Sequence, residues 1–267
     1  MKKYLMNFFK YTPLLFFLTS KDFKLKYRRS VLGVFWSMLN PLLIMIVVTS
    51  VFSVILKFNL EEIRMPFAVF YITGSLIFNF FSEASSSSMM AVTSNAPLIQ
   101  KVYVPKYIFI LEKCTFSLIN MLFSTIAVLF VIFYYVLKGR IVIHATIFLI
   151  FIPIIFTFLF SVGIGLILST LTVFFRDIVH LWGVILTIWV YLTPIVYPIE
   201  ILKSSRLDWV VKLNPIYYFV TDLRRVMILG ELITLQNLII ESISCFVVLG
   251  LGVLLFKKVQ DKFIMHI

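Results

Sequence analysis

Three arginines stand where long apolar segments end, and their side chains could bind phosphate groups. Arg28 and Arg29 precede the first apolar segment, and Arg176 follows the fourth. A guanidinium group donates paired, charge-assisted hydrogen bonds, so these residues are candidates for holding a diphosphate. The alternative is that they only orient the chain in a membrane and contact anionic lipid.

Other reactive chemistry is sparse in this sequence. It has no Gly-x-x-x-x-Gly-Lys-Ser/Thr motif, so we expect no P-loop site and no enzymatic activity of its own. If ATP drives the chain, a partner must supply the ATP site. The histidines His144, His180 and His266 are scattered without neighbouring ligands, so no metal site is expected. Cys114 and Cys245 are expected to be buried free thiols.

Apolar segments make up most of the chain. Of its 267 residues, 61% are hydrophobic and only 13% are charged, which excludes a soluble enzyme. Because about 20 apolar residues cross the hydrocarbon core as a helix, the sequence predicts an all-α polytopic membrane protein. The six predicted spans are residues 31–56, 66–92, 108–137, 145–174, 178–197 and 236–256.

The distribution of charge sets the expected orientation. If both termini are cytoplasmic, that side holds most of the 24 lysines and arginines, in agreement with the positive-inside rule. The net charge of +12 could also suit nucleic acid, but the bases lie beside the spans, which favours anionic lipid. Residues 1–30 are predicted to form an amphipathic interfacial helix, because Lys21, Lys24 and Arg28 fall on one stripe at helical period. Their apolar core is too short for a signal peptide.

Three local segments together carry a family resemblance. They are Tyr-Arg-Arg-Ser-Val-Leu-Gly-Val-Phe-Trp-Ser-Met-Leu-Asn-Pro (27–41), Asn-Ala-Pro-Leu-Ile-Gln-Lys-Val-Tyr-Val-Pro (95–105), and residues 192–230 with Leu-Thr-Pro-Ile-Val-Tyr-Pro and Leu-Asn-Pro-Ile-Tyr-Tyr. In this order and spacing they closely resemble the membrane subunits of ABC transporters that export O-antigen, capsular polysaccharide or teichoic acid.

The resemblance implies a homodimeric permease in the plasma (inner) membrane. Two separate ATPase subunits, which bind ATP and Mg, would dock on its cytoplasmic face. The cargo would be a lipid-linked glycan on polyprenyl diphosphate or a related lipid, pushed outward between the two permease copies. The chain, 1–267, would be one transmembrane domain with an interfacial helix (1–30), six spans (31–256), an outer gate segment (198–235) and a cytoplasmic tail (257–267).

The resemblance also assigns roles to individual residues. The substrate entrance would be Arg28, Arg29 and Arg176, and the channel lining Phe35, Trp36, Trp189 and Tyr191. The ATPase-coupling loop would comprise Leu98, Ile99, Lys101, Val102, Tyr103 and Pro105, with Leu98, Ile99, Val102 and Tyr103 as its contact face. The outer gate would include Pro194, Pro198, Asn214, Pro215, Tyr217 and Tyr218.

Each of these roles has a plainer alternative. The coupling loop could be an ordinary connection touching lipid headgroups, although its large apolar side chains would be unfavourable in water without a partner. The aromatic residues could belong to interfacial belts or to the packed interior. In the outer gate segment, Asn214-Pro215 predicts a turn, residues 216–229 a helix and Gly230 its C-terminal cap. That segment is expected to dip into the outer leaflet, either as a gate or as an amphipathic lid.

Two polar features fall inside predicted spans. Thr157, Ser161, Gly165 and Ser169 recur on one face of the fourth span and predict close packing against another helix. Glu83 lies inside the second span, where an acidic side chain is costly. It is expected either to pair with a base of the interfacial helix or to face a water-filled channel.

Three functions remain open from the sequence. An ATP-driven exporter subunit for a lipid-linked polysaccharide ranks first, and a permease of the same fold that moves a drug, haem or lipid ranks second. A stand-alone secondary transporter or channel ranks third, because the spans lack inverted halves and contain few charges.

Overall fold

The computed structural model describes residues 2–55, 65–199 and 208–265. Parts of four predicted elements lie outside the described residues: residue 1 of the interfacial helix, residue 56 of the first span, residues 200–207 of the outer gate segment and residues 266–267 of the tail, including His266. The α-helices are α1 (Lys2–Tyr27), α2 (Trp36–Ile55), α3 (Phe67–Met89), α4 (Ala91–Ser94), α5 (Ala96–Lys101), α6 (Tyr107–Leu137), α7 (Phe151–Phe174), α8 (Ile178–Leu192), α9 (Asp208–Leu213), α10 (Pro215–Arg224) and α11 (Leu235–Val259). Short 3₁₀ or π segments cover Gly33–Phe35, Ala145–Ile150, Arg225–Leu229 and Gln260–Met265.

All regular structure in the described residues is helical, as the sequence predicts. Five helical segments among them are long and apolar enough to cross a membrane: Gly33–Phe52, Phe67–Met89, Tyr107–Leu137, Ala145–Phe174 and Leu235–Phe263. The remaining predicted span is shorter than expected, because α8 ends at Leu192. Pro194 and Pro198 follow it, and a proline lacks the N–H that would continue a helix.

Small residues bring the long helices close together. Thr157, Ser161, Gly165 and Ser169 are all buried, and a Cβ added to Gly165 would lie 2.7 Å from the Cβ of Ser88 on α3. The predicted close packing of this face is therefore confirmed. The sequence analysis did not identify a second close contact, in which a Cβ on Gly252 of α11 would lie 2.6 Å from the carbonyl oxygen of Gly163 on α7.

The bundle has two distinct ends. The "basic end" carries the chain segments with Arg28, Arg29, Lys101, Lys106, Arg176 and Lys257. There the ammonium of Lys106 donates to the carbonyl oxygen of Gln260. The "opposite end" carries the turn after α6 and the segments between α8 and α11, where the Thr146 hydroxyl donates a 2.9 Å hydrogen bond to the Val226 carbonyl oxygen.

Helix α1 lies against α6 rather than standing apart from the bundle. Lys113 of α6 forms an ion pair with Asp22 of α1, and the ring of Phe23 makes edge or tilted contacts with Phe116 and Phe123. Leu18, Phe23 and Tyr27 are buried or half-buried, whereas Lys21, Lys24 and Arg28 are exposed. Phe16, Phe17 and Leu25 are exposed as well, so the free surface of α1 is both basic and apolar.

Candidate functional site

A cavity of about 480 Å³ with polar and apolar lining residues opens near the basic end, where α1, α2, α3 and α6 meet. We call it the four-helix cavity. The end of α1 and the start of α2 both line this cavity, because the chain turns beside it after Tyr27. Its lining residues are Lys26, Tyr27, Trp36, Ser37, Asn40, Pro41, Ile44, Ile72, Leu76, Asn79, Phe80, Glu83, Asn120, Met121, Ser124 and Val128.

Glu83 organises one wall of the four-helix cavity. Its Oε1 atom accepts a 3.0 Å hydrogen bond from Lys26 Nζ and a 2.9 Å hydrogen bond from Asn120 Nδ2. The Lys26 contact is an ion pair between side chains that are 41% and 38% exposed. Of the two alternatives for Glu83, pairing with a base of α1 is therefore found, and Glu83 also lines the four-helix cavity.

Asn120 extends this network to the start of α2. Its Oδ1 atom accepts a 3.2 Å hydrogen bond from the Tyr27 hydroxyl, and that hydroxyl is also hydrogen-bonded to Ser37. The hydroxyl of Ser124 donates a 2.8 Å hydrogen bond to the Ser37 carbonyl oxygen. Residues from four helices thus hold one polar wall in place, and Asn120 is buried at its centre.

The three candidate entrance arginines are exposed but do not lie together. Arg28 and Arg29 border a shallow basic depression with Leu25, Lys26 and Ser30, at the end of α1. Lys26 lines both this depression and the four-helix cavity, so the two adjoin. Arg176 borders neither of them and lies between α7 and α8.

The candidate coupling loop separates into a buried part and an exposed part. Pro97 lies in the first turn of α5, which ends at Lys101, and the chain then becomes extended at Val102. Ile99 is buried in the core and Leu98 is half-buried against it, so these two side chains are not available as a contact surface for a partner.

The exposed part of this loop is apolar. Val102 is 52% exposed and Tyr103 is 93% exposed, and Lys101 beside them is also exposed. Pro105 and Lys106 then lead into α6. Burial lowers the pKa of Lys106, although the nearby carboxylate of Asp261 opposes that effect.

The four candidate channel aromatics occupy two kinds of environment. Phe35, Trp36 and Tyr191 are exposed, and Trp36 also lines the four-helix cavity. Trp189 is half-buried in an aromatic cluster, with its ring centre 5.1 Å from that of Phe81. Trp189 therefore packs inside the helical bundle of the chain.

Asn214 joins the end of α8 to the outer gate segment. Its Oδ1 atom accepts a 2.8 Å hydrogen bond from Trp189 Nε1 and a 3.0 Å hydrogen bond from the Ile216 amide, which caps α10. Its Nδ2 atom donates a 2.8 Å hydrogen bond to the Thr193 hydroxyl. Pro215 occupies the first turn of α10, where its missing N–H costs nothing.

The rest of the predicted outer gate has the expected helical order. The chain is helical through α10 and the following π segment, and Gly230 ends it with a φ of 69°. The predicted helix and its glycine cap are therefore confirmed. Pro198 is buried, and Tyr217 and Tyr218 are half-buried with ring centres 5.1 Å apart.

Arg224 anchors this segment to the bundle, and the sequence analysis assigned it no role. The side chain is buried, and its Nη1 and Nη2 atoms donate hydrogen bonds of 2.9 Å to the Pro194 carbonyl and 2.8 Å to the Phe70 carbonyl. A polar side chain within an apolar helical pattern was the available signal. Its acceptors could not be inferred, because they are backbone atoms from distant parts of the chain.

Comparison with known proteins fits this architecture. Residues 13–228 match the family of ABC-2 type transporters. That match covers well over half of the chain, and the chain belongs to the ABC-2 type transporter family. Together with the long apolar helices, this makes it a multi-pass membrane protein.

Relatives over nearly the full length carry a more particular name. An O-antigen export system permease protein RfbA from Klebsiella pneumoniae is 26% identical over 252 residues, which are 94% of this chain and 93% of that protein. A protein of the same name from Myxococcus xanthus is 26% identical over 256 residues, 96% of this chain and 95% of its own length.

Proposed function

We propose that this chain is the membrane-spanning permease subunit of an ATP-driven exporter of lipid-linked polysaccharide. The observation that carries the proposal is the end-to-end similarity to permeases named for O-antigen export. The cargo would be a polymer of the O-antigen, capsule or teichoic acid type on polyprenyl diphosphate or a related lipid. The chain would work in the inner membrane with both termini in the cytoplasm, so that the basic end faces inward.

Energy would come from two copies of a separate ATPase. The sequence has no P-loop of its own. Val102 and Tyr103 place apolar surface at the basic end, and such a surface is favourable when a partner covers it. Movement of the ATPase would then be transmitted through α5 into α3 and α6, which flank the loop.

The conduit would lie between two copies of the chain. Only 6% of the most apolar stretch within Gly33–Phe52, which includes most of α2, is buried inside one protomer, and most of α8 is also exposed. These two helices would face each other across the dimer axis and enclose the pathway. Trp36 and Tyr191 would then be placed to contact passing sugars.

Helix α8 would be the fifth of the six spans in chain order. Its 15 residues rise about 22 Å, which is less than the roughly 30 Å hydrocarbon core. The following residues, 193–199, would complete the crossing, and Asn214 and Arg224 satisfy polar groups in that stretch. Helices α9 and α10 would re-enter the outer leaflet and close the pathway as a gate.

Deletion of the gene tests the proposal. The expected result is accumulation of a glycan-lipid on the inner face of the membrane, reversed by the intact gene. In a separate experiment, the protein purified from the intact strain is expected to copurify with a P-loop ATPase. A permease for a drug, haem or lipid would leave no glycan-lipid behind. Full transport by the chain alone in liposomes would overturn the ATPase assignment.

A further inference from the structure

The four-helix cavity has a chemistry that differs from that of the depression beside it. The depression at the end of α1 is basic, with Lys26, Arg28 and Arg29 on its border. Inside the cavity, the charge of Lys26 is offset by the carboxylate of Glu83. The cavity is therefore close to neutral and offers a diphosphate no net positive charge.

Unused hydrogen-bonding groups point into this neutral space. Asn40 of α2 and Asn79 of α3 line the cavity and are exposed. Neither side chain forms a hydrogen bond within the described residues. Each amide can donate two hydrogen bonds and accept two, which suits a ligand that carries both donors and acceptors.

Glu83 and Trp36 add the remaining features of such a site. Lys26 and Asn120 both donate their hydrogen bonds to Oε1 of Glu83. The other carboxylate oxygen, Oε2, accepts no hydrogen bond from the described residues. A carboxylate oxygen and neighbouring amides can bind adjacent hydroxyl groups. Trp36, 47% exposed on the wall, offers an aromatic face for the apolar side of a sugar ring.

We propose that the four-helix cavity binds the sugar unit nearest to the lipid carrier, while Arg28 and Arg29 face the carrier diphosphate at its mouth. The inference rests on the proposed function and names the part of the cargo that this site recognises. The cavity volume of about 480 Å³ lies in the range of small-molecule sites. Lys26, shared by the two regions, marks the boundary between the charged and the hydroxyl-bearing parts of the ligand.

The site can be tested with two soluble probes that separate these parts. One is the oligosaccharide released by mild acid from the polysaccharide of the same strain, and the other is inorganic diphosphate. Binding of each would be followed by saturation-transfer NMR on the permease in nanodiscs, with any ATPase that copurifies. The variants are Asn40→Ala, Asn79→Ala and Arg28→Gln/Arg29→Gln, with Gln236→Ala, an exposed amide at the opposite end, as the control.

Asn40→Ala and Asn79→Ala are each expected to weaken oligosaccharide binding about three- to tenfold, the loss of one or two hydrogen bonds. Neither should change diphosphate binding, which Arg28→Gln/Arg29→Gln should reduce. Gln236→Ala should change neither. Both asparagines are exposed, so these variants are expected to fold.

Three results would overturn the inference. The first is equal oligosaccharide binding by the wild type and both asparagine variants. The second is loss of diphosphate binding on Asn40→Ala or Asn79→Ala. The third is that the wild-type protein does not bind the oligosaccharide at all. If glycan-lipid still accumulates in the gene deletion, the proposed function stands and only the cavity assignment fails; if it does not accumulate, both fail.

Discussion

The guanidinium carbon of Arg224 lies 3.6 Å from the centre of the Phe70 ring, and its Nη2 atom donates to the Phe70 carbonyl oxygen. The same side chain also donates a hydrogen bond to the carbonyl oxygen of Pro194, which lies after the end of α8 and outside any regular helix. One buried cation thus ties α10 to α3 and to the stretch after α8. We infer that it holds the outer gate segment against the bundle.

The space beside Arg224 depends on a glycine. A Cβ at Gly74 would lie 2.5 Å from Arg224 Nη2, so Gly74→Ala has to displace the guanidinium from its acceptors. We expect a loss of about 1–3 kcal/mol in the free energy of unfolding, as for other overpacked sites. The loss of stability is measured as a lower melting temperature of the detergent-solubilised protein, with size-exclusion chromatography as the readout after heating.

Gly183→Ala is the matched control for this prediction. Gly183 is also helical, but a Cβ there would meet no atom within 4 Å. That variant should be neutral or more stable by up to about 1 kcal/mol, because alanine favours helix. Equal destabilisation by the two variants would contradict the role given to Arg224.

Contact between α7 and α11 gives a second glycine pair. Gly252→Ala would bring a Cβ to 2.6 Å from the Gly163 carbonyl oxygen, which is backbone and cannot rotate away. We expect the two helices to separate and stability to fall by about 1–3 kcal/mol. Gly250→Ala, two residues earlier with nothing within 4 Å, should leave the melting temperature unchanged or raised. The reverse order of the two variants would refute this packing.

Much of this fold could be predicted from the sequence because long apolar runs have one solution in a membrane. A helix satisfies its own backbone groups, so segments such as Tyr107–Leu137 were identifiable from hydropathy. The recurrence of small residues at Ser161 and Gly165 likewise predicts a close helix contact from local spacing alone.

The site was less predictable, because its contacts join residues far apart in the chain. Lys26 and Glu83 are 57 positions apart, and Tyr27 and Asn120 are 93 apart. Sequence patterns identify that Glu83 needs a partner but not which base supplies it. The family resemblance assigned Trp189 to the channel lining, and its packing against Phe81 could not be predicted because it depends on where α3 lies.

Asn120 is expected to matter more for stability than the ion pair it supports. It is buried and bridges Tyr27 to Glu83, so Asn120→Ala should cost about 1–3 kcal/mol. Glu83→Gln should cost less than about 1 kcal/mol, since the side chains of the Lys26–Glu83 pair are 41% and 38% exposed. Melting curves of the two variants compare them directly, and a larger effect from Glu83→Gln would show that the ion pair, not the amide, holds α1 in place.

A negative charge on the proposed coupling loop should prevent the ATPase from docking and so abolish export. Val102→Asp or Tyr103→Asp places a carboxylate on the exposed apolar patch, and desolvating it against a partner is costly. We expect export to be abolished and copurification of the ATPase to be lost, while membrane insertion is unchanged. Gln100→Asp, also exposed but on α5, is the control and should retain export. Normal export by both patch variants would exclude this surface as the docking site.

Removal of the two adjacent arginines should weaken substrate engagement more than insertion. Arg28 and Arg29 are exposed beside the four-helix cavity, and a charge-assisted hydrogen bond contributes about 1.5–3 kcal/mol. Arg28→Gln/Arg29→Gln should therefore reduce the glycan-lipid that copurifies with the protein about tenfold or more. Arg140→Gln, an exposed arginine at the opposite end, is the matched control and should have no effect. Membrane insertion is measured in parallel, because an equal loss of insertion and of bound glycan-lipid would mean that the arginines only orient the chain in the membrane.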